Sequence, residues 1–239
     1  NFDVCFNQNY ETKKYLKSLG AKKIKFIGNL KFSESKTEKN YIFNSNLKKI
    51  FKSKKIWCAA STHNSEEKIC AIAHKKLKNK YKNLLTIIIP RHIQRVDEIA
   101  NEIRDIGLKV QTHNSNNKIN NDTEIYLVDT YGETKSFFKV CKIVFLGGSI
   151  INHGGQNPLE PARFGCRILH GPNIQNFTEV YSLLNKNNLS HKFYNTNQLA
   201  TLVDKLFGKN INTFKKVSKL KKIGSNILNH TFVEINHYL

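Results

Sequence analysis

Short apolar runs, each of strand length and each ending in a polar cluster, recur along this chain and constrain what it can fold into. Ile56-Trp57-Cys58-Ala59-Ala60 ends in Ser61-Thr62-His63, and Leu84 to Ile89 ends in Pro90-Arg91-His92. Glu124 to Val128 ends in Asp129-Thr130-Tyr131-Gly132-Glu133, and Ile143 to Leu146 ends in Gly147-Gly148-Ser149. Runs of this length and content suit strands buried on both faces. Between them the apolar spacing turns helical. Ile69, Ala73 and Leu77 mark one helix face, and Val96, Ile99, Ala100 and Ile103 mark another, with Gly107 as a stop. Asn64 or Ser65 is predicted to cap the first of these helices, with Glu66 and Glu67 in its first turn, where the helix dipole favours anions. Strands alternating with helices imply right-handed crossovers and an α/β fold, a Rossmann-like parallel sheet with helices on both faces. Such sheets bind ligands beyond the carboxyl ends of their strands, where strand order reverses. Every polar cluster above lies at such an end.

The remaining segments fit the same alternation. Helices are predicted over 10–19, 40–51, 134–140, 177–187, 196–207 and 211–238, and strands over Ile24–Ile27, Lys109–Thr112, Arg167–Leu169 and His191–Tyr194. The Asn-rich stretch 113–123 is predicted to be a loop.

The stretch after Leu146 carries most of the chemistry. Gly147-Gly148-Ser149 is followed by Gly154-Gly155 and then by Gln156-Asn157-Pro158-Leu159-Glu160-Pro161. Pro158 suits the first turn of a helix, because its missing N–H has no partner there, and Asn157 is then the predicted N-cap. The chain would leave a strand, cross a loop that admits close backbone approach, and enter a helix with free N–H groups facing a ligand. By itself the spacing describes an ordinary tight turn and capped helix equally well. Arg91 offers a planar fork of donors suited to phosphate or carboxylate. Taken alone, Arg91 and His92 also read as a surface arginine and a capping histidine.

Composition narrows the partners. The 239 residues carry a formal charge of +21, mostly from Lys, which favours polyanions. The lysines are scattered over helix faces and loops, so solvated surface is the first reading, an anionic membrane surface the second, and nucleic acid the third and unlikely one. Cys5, Cys58, Cys70, Cys141 and Cys166 are widely spaced and show no metal-ligand pairing; four of them lie in or beside apolar segments. There is no Asp-x-Asp pair to hold a phosphate-bound cation. No apolar run approaches the ~20 residues that span a bilayer. The sequence starts at Asn and contains no Met, so a fragment is the expectation.

Together these motifs resemble one family. Gly147-Gly148-Ser149, then Gly154-Gly155-x-Asn157-Pro158-Leu159-Glu160-Pro161-Ala162, then Gly171-Pro172 followed by Asn176-Phe177, is similar to the donor-site signature of the 3-deoxy-D-manno-octulosonic acid (Kdo) transferases. Pro90-Arg91-His92, Asp129-Thr130-x-Gly132-Glu133 and Gly28-Asn29-Leu30-Lys31-Phe32 resemble further motifs of that family. The resemblance implies the C-terminal half of a two-Rossmann-domain (GT-B) glycosyltransferase. Residues 1–32 would be the tail of an N-terminal domain and the interdomain crossing, and 33–239 the donor-binding domain. It implies inverting, metal-independent transfer of Kdo from CMP-Kdo to a lipid A precursor, without a cofactor, at the cytoplasmic face of a bacterial inner membrane. The implied donor contacts are Ser61, His63, Arg91, His92, Asp129, Thr130, Gly132, Glu133, Gly148, Ser149, Gly155, Gln156, Asn157, Glu160 and Asn176. The general base of this family lies in the N-terminal domain, so none is assigned here. Gln156 stands where the family has His, Ser33 where it has Asp, and Thr134 where it has Leu. Two other readings stay open: another sugar-nucleotide glycosyltransferase or epimerase of the same fold, and a non-catalytic basic binding module.

Overall fold

The computed structural model describes residues 2–33, 43–113, 118–209 and 214–238, with side chains from 217 onward in the last segment. It comprises two compact units, one formed by 1–38 with 214–239 and the other by 39–213.

The first unit opens with β1 (Cys5–Asn7), α1 (Tyr10–Ser18) and β2 (Ile24–Phe26). β1 and β2 pair in parallel, and the Asn9 side chain caps α1 by accepting from the Thr12 amide at 2.8 Å. A strand at β1 was not expected: three residues are too few to show a period. Gly28, at φ 87°, then turns the chain into a 3-10 turn over Leu30–Phe32, where the Asn29 side chain accepts from the Lys31 amide at 3.0 Å.

The second unit is a seven-stranded, all-parallel sheet. Its elements are α2 (Ser45–Ser53), β3 (Lys55–Thr62), α3 (Glu66–Lys78), β4 (Leu84–Pro90), α4 (Val96–Asp105), β5 (Val110–Thr112), β6 (Ile125–Leu127), α5 (Thr134–Val140), β7 (Ile143–Leu146), α6 (Leu159–Arg163), β8 (Arg167–His170), α7 (Thr178–Lys186), β9 (Ser190–Lys192) and α8 (Thr196–Phe207). Strand order is β5-β6-β4-β3-β7-β8-β9. From β3 the chain builds one side through β4, β5 and β6, then crosses to build the other through β7, β8 and β9, so the order reverses between β3 and β7. Cys58 pairs with both Ile87 and Val144 at this centre. Alternate residues feed the two faces. Trp57, Ala59, Ile88, Ile125, Phe145 and Leu169 join the apolar cluster under α3, α4 and α8. On the other face Phe51 packs edge to face on Phe43 and Phe137, which lie tilted to each other with centroids 5.0 Å apart. Cys58, Cys70, Cys141 and Cys166 are buried free thiols, held protonated by burial where a shift is resolved, as at Cys70 and Cys141.

The last helix, α9 (Phe214–Asn236), belongs to the first unit. There Lys25 pairs with Glu234 at 2.5 Å, and Gly224 packs so closely on the Phe32 carbonyl that no Cβ fits.

Several boundaries differ from expectation. The helix expected over 40–51 spans Ser45–Ser53, and residues 40–42 lie outside the described residues. Residues 114–117 of the Asn-rich loop and 211–213 of the last helix also lie outside them. The strand expected at 191–194 is Ser190–Lys192. The helix expected from Pro158 is a single five-residue turn, Leu159–Arg163. Pro161 has no N–H to bond back to Asn157, and Gly165, at φ 77°, ends the turn.

Candidate functional site

The carboxyl ends of β3 and β7 meet at the reversal of strand order. β3 leaves the sheet through an irregularity between Ala60 and Thr62, with Ser61 at φ 54°. Gly147 runs directly across this end: a Cβ there would collide with the Ser61 carbonyl and the Thr62 backbone. Only glycine fits so close an approach.

Beneath this crossing sits Glu66, fully buried. Its Oε2 accepts from the amides of Gly148 at 2.7 Å and His63 at 3.0 Å. Its Oε1 accepts from Ile150 at 2.9 Å and Ser149 at 3.1 Å. Four N–H groups on one carboxylate offset the cost of burying its charge. Glu66 and Glu67 stand in the first turn of α3, as expected. The Gly148 and Ser149 amides are taken by Glu66. The Ser149 hydroxyl is also used internally, donating to the Leu146 carbonyl at 2.6 Å and accepting from the Gly171 amide at 2.9 Å. Glu67 is buried beside Glu66 and pairs with Arg95 at 3.3 Å; burial pushes its carboxyl above the usual range.

Above the locked loop the side chains are cationic or imidazole. The His63 ring lies 4.4 Å from the His153 ring and 5.8 Å from that of His92. Gln156 Nε2 approaches His63 Nε2 at 3.4 Å. Gly148, at φ 65°, forms the floor, with a position for Cβ only 3.0 Å from His153 and 3.3 Å from His63. The Arg91 amide donates to the Thr62 carbonyl at 2.9 Å, which ties the end of β4 to that of β3, and the Arg91 and His92 side chains are exposed. Burial, then the charges of His153, His92, Arg91 and Arg95, lower the His63 pKa to about 4. His63 is therefore neutral at pH 7, and an anion placed above it would raise that pKa.

The far wall of the loop is built by Gly155, Asn176 and Gln156. The Gly155 amide donates to the Gly148 carbonyl at 2.8 Å, and Gly155 lies at φ 79°. The Asn176 amide donates to the Gly154 carbonyl at 3.1 Å and its Nδ2 to the His153 carbonyl at 3.3 Å. The Gln156 carbonyl accepts from the Tyr181 hydroxyl at 3.3 Å. Asn157 accepts from the Leu159 amide at 3.0 Å, a turn bond one residue before α6; the N-cap is Pro158 and not Asn157 as expected. Because α6 is only one turn long, its dipole adds little. Glu160 is half-exposed and pairs with Lys135 at 3.2 Å.

The cluster after β6 lies farther out, two strands from β3. Glu133 pairs with His113 Nε2 at 2.6 Å, and the other ring nitrogen of His113 bonds the Tyr126 hydroxyl at 2.7 Å. Glu133 thus anchors its own loop. Asp129 is half-buried, and Gly132 is exposed at φ 86°. The Thr130 hydroxyl oxygen is buried without a hydrogen-bond partner among the described residues.

His153 and Glu66 were not expected in the site. His153 sits in a loop with no period to single it out. Glu66 bonds back to the amide three residues before it, so the capping-box spacing from His63 was its only sequence signal. Among the described residues no group of three His, Cys, Asp or Glu side chains is placed to hold a metal ion. No helix among them is long and apolar enough to cross a membrane.

No family model matches the chain. The parallel sheet with its order reversal has the Rossmann-like fold of a GT-B domain. It superposes on the C-terminal CMP-Kdo binding domain of WaaA from Acinetobacter baumannii with a TM-score of 0.63, covering 77% of this chain and 98% of that one at 22% identity. It superposes on a UDP-forming α,α-trehalose-phosphate synthase from Burkholderia vietnamiensis with a TM-score of 0.55, covering 100% of this chain and 61% of that one at 10% identity. By sequence the chain is similar to the 3-deoxy-D-manno-octulosonic acid transferases. It is 33% identical to that of Haemophilus influenzae over 184 residues, 76% of this chain and 43% of the relative. It is 30% identical to that of Rickettsia prowazekii over 238 residues, 99% of this chain and 50% of the relative. The chain thus spans about half the length of the curated relatives it matches.

Proposed function

We propose that this chain supplies the donor-binding half of an inverting transferase that moves Kdo from CMP-Kdo to a lipid A precursor. The observation that carries this reading is the cluster of Arg91, His92, His63 and His153 above the loop at the β3–β7 reversal. CMP-Kdo presents a phosphate and a sugar carboxylate, and a planar guanidinium with neighbouring imidazoles matches two anionic groups. Because Glu66 takes the loop amides, the side chains rather than the backbone meet the donor. Gln156 donates a hydrogen bond but no charge, so Arg91 carries the electrostatic part. In this reading Glu160 accepts from the ribose hydroxyls after giving up its partner Lys135. As the glycosidic bond breaks, negative charge grows on the departing CMP phosphate, and the cationic groups already around it stabilise that charge. In this reading neither a metal nor a cofactor takes part, and the base that deprotonates the acceptor comes from outside these residues. The lipid acceptor would put the whole enzyme at the cytoplasmic face of a bacterial inner membrane, against an anionic surface.

Calorimetric titration with CMP, UMP and CMP-Kdo tests this. Cytidine-selective binding that Arg91→Ala and Glu160→Ala both weaken is expected. A folded chain that prefers UMP, or binds none of the three, would sink it.

A further inference from the structure

The opposite end of the same sheet carries a second cationic feature. A cavity of about 410 Å3 opens at the amino ends of β3 and β7, between the end of α2, the end of α5 and the end of α8. Its floor is apolar, from Phe51, Ile56, Ile143, Leu206 and Phe207. Its charged lining is Lys54, Lys55, Lys142 and Lys209, with no carboxylate among the lining residues.

The sequence explains why these lysines gather. Each follows the C-terminus of a helix, where the macrodipole favours a cation. Three helix ends converge there, each equivalent to at most about half a negative charge, against four ammonium groups. None of the four lysines is in a salt bridge among the described residues, whereas Lys80 and Lys109 nearby are paired with Asp204 and Asp122. Lys54 donates to the Thr123 carbonyl at 2.8 Å, and the Lys55 ammonium lies 5.0 Å from the Tyr81 ring centre and 5.3 Å from that of Phe207. Asp122 also acts on Lys54 and Asp204 on Lys55, so the exposed Lys142 and Lys209 carry most of the positive charge offered to a ligand.

We propose that this basin docks the phosphate headgroup of an anionic membrane phospholipid, with the lysines on the phosphate and the first apolar part of the lipid on the floor. A free phosphate would have no use for the floor. Duplex DNA would likewise use the lysines alone and leave the apolar floor idle. The inference rests on the membrane partner named above and not on the donor chemistry. Nucleotide titration and vesicle binding are read separately, so either can fail alone.

The test is co-sedimentation of the 239-residue chain with phosphatidylcholine vesicles, with and without phosphatidylglycerol. The variants are Lys142→Glu with Lys209→Glu and, as a charge-matched control, Lys17→Glu with Lys22→Glu. Binding that requires phosphatidylglycerol, falls at least about tenfold in the basin variant and less than about twofold in the control, is expected. A second variant, Phe207→Ala, should weaken vesicle binding without changing the charge. Equal loss in the control, equal binding to neutral vesicles, glycerol 3-phosphate binding as tight as vesicle binding, or basin-dependent binding of duplex DNA with none to vesicles would each overturn the proposal.

Discussion

The two ends of the central sheet are both cationic, but they come by their charge differently. At the carboxyl end, short stiff side chains, His63, His92 and His153, stand with Arg91 on a loop whose amides are already bonded to buried Glu66. At the amino end, long lysines gather because three helices finish there. Imidazoles have few rotamers to lose, whereas each ordered lysine sacrifices up to ~2 kcal/mol of side-chain entropy. The first end is therefore suited to one ligand in one geometry, and the second to a fluid anionic surface. Glu66 makes the difference: it removes the backbone from recognition and fixes the loop before any ligand arrives.

Breaking that lock should give the largest effect. Glu66→Ala leaves four amides without their acceptor, at ~1–3 kcal/mol each where water cannot replace it. The expected loss is about 4 kcal/mol or more, a large share of a total that is usually ~5–15 kcal/mol. A urea midpoint within about 1 kcal/mol of the parent would show that the loop holds itself.

Acid should give the next largest effect. Burial lowers the pKa of His74 to about 3 and of His170 to about 4, and His63 also stands at about 4. Folded, these rings are neutral; unfolded, they take up protons at ~6.5. Stability is therefore intact above pH ~6.5 and falls as pH drops towards ~4, by several kcal/mol in sum. Denaturation midpoints measured across that window would refute the assignment by staying level.

Arg91→Ala should leave the midpoint within about 0.5 kcal/mol, since its exposed side chain supports nothing else. It should weaken cytidine-nucleotide binding by about 10- to 100-fold, the worth of a lost charge-assisted bond of ~1.5–3 kcal/mol. A matched fall in stability and binding would instead make Arg91 a structural residue. The smallest effect belongs to Ser149→Ala, at ~1–2 kcal/mol of stability from the lost bonds to Leu146 and Gly171. Nucleotide affinity should change little there, because the hydroxyl faces inward.

Much of this architecture was legible in the sequence. The runs at Ile56, Leu84 and Ile143 became the central strands, since buried parallel strands need only length and apolar content to be recognised. Their polar ends did converge, because parallel strands put all their carboxyl ends on one side. Strand order was not legible: β6 slips between β4 and β5, and periodicity carries no information about neighbours. Glu66 was legible only as a first-turn acid, because its burial depends on amides 82 to 84 residues away. The bond between Glu133 and His113 was not legible, because His113 sits in a stretch that looks like a featureless loop. The start of the helix after Pro158 was legible, but its one-turn length was not.

The bond from Glu66 to Gly148 also orders events in time. The carboxylate is synthesised long before three of its four donors, and it cannot remain buried and ionised without them. Until β7 docks beside β3, the start of α3 has an acid held by water where the finished molecule has a closed floor. A contact spanning 82 residues forms late in a chain whose sheet is built from crossovers. The ligand loop and the centre of the sheet are thus completed in one step, so a half-folded chain holds neither.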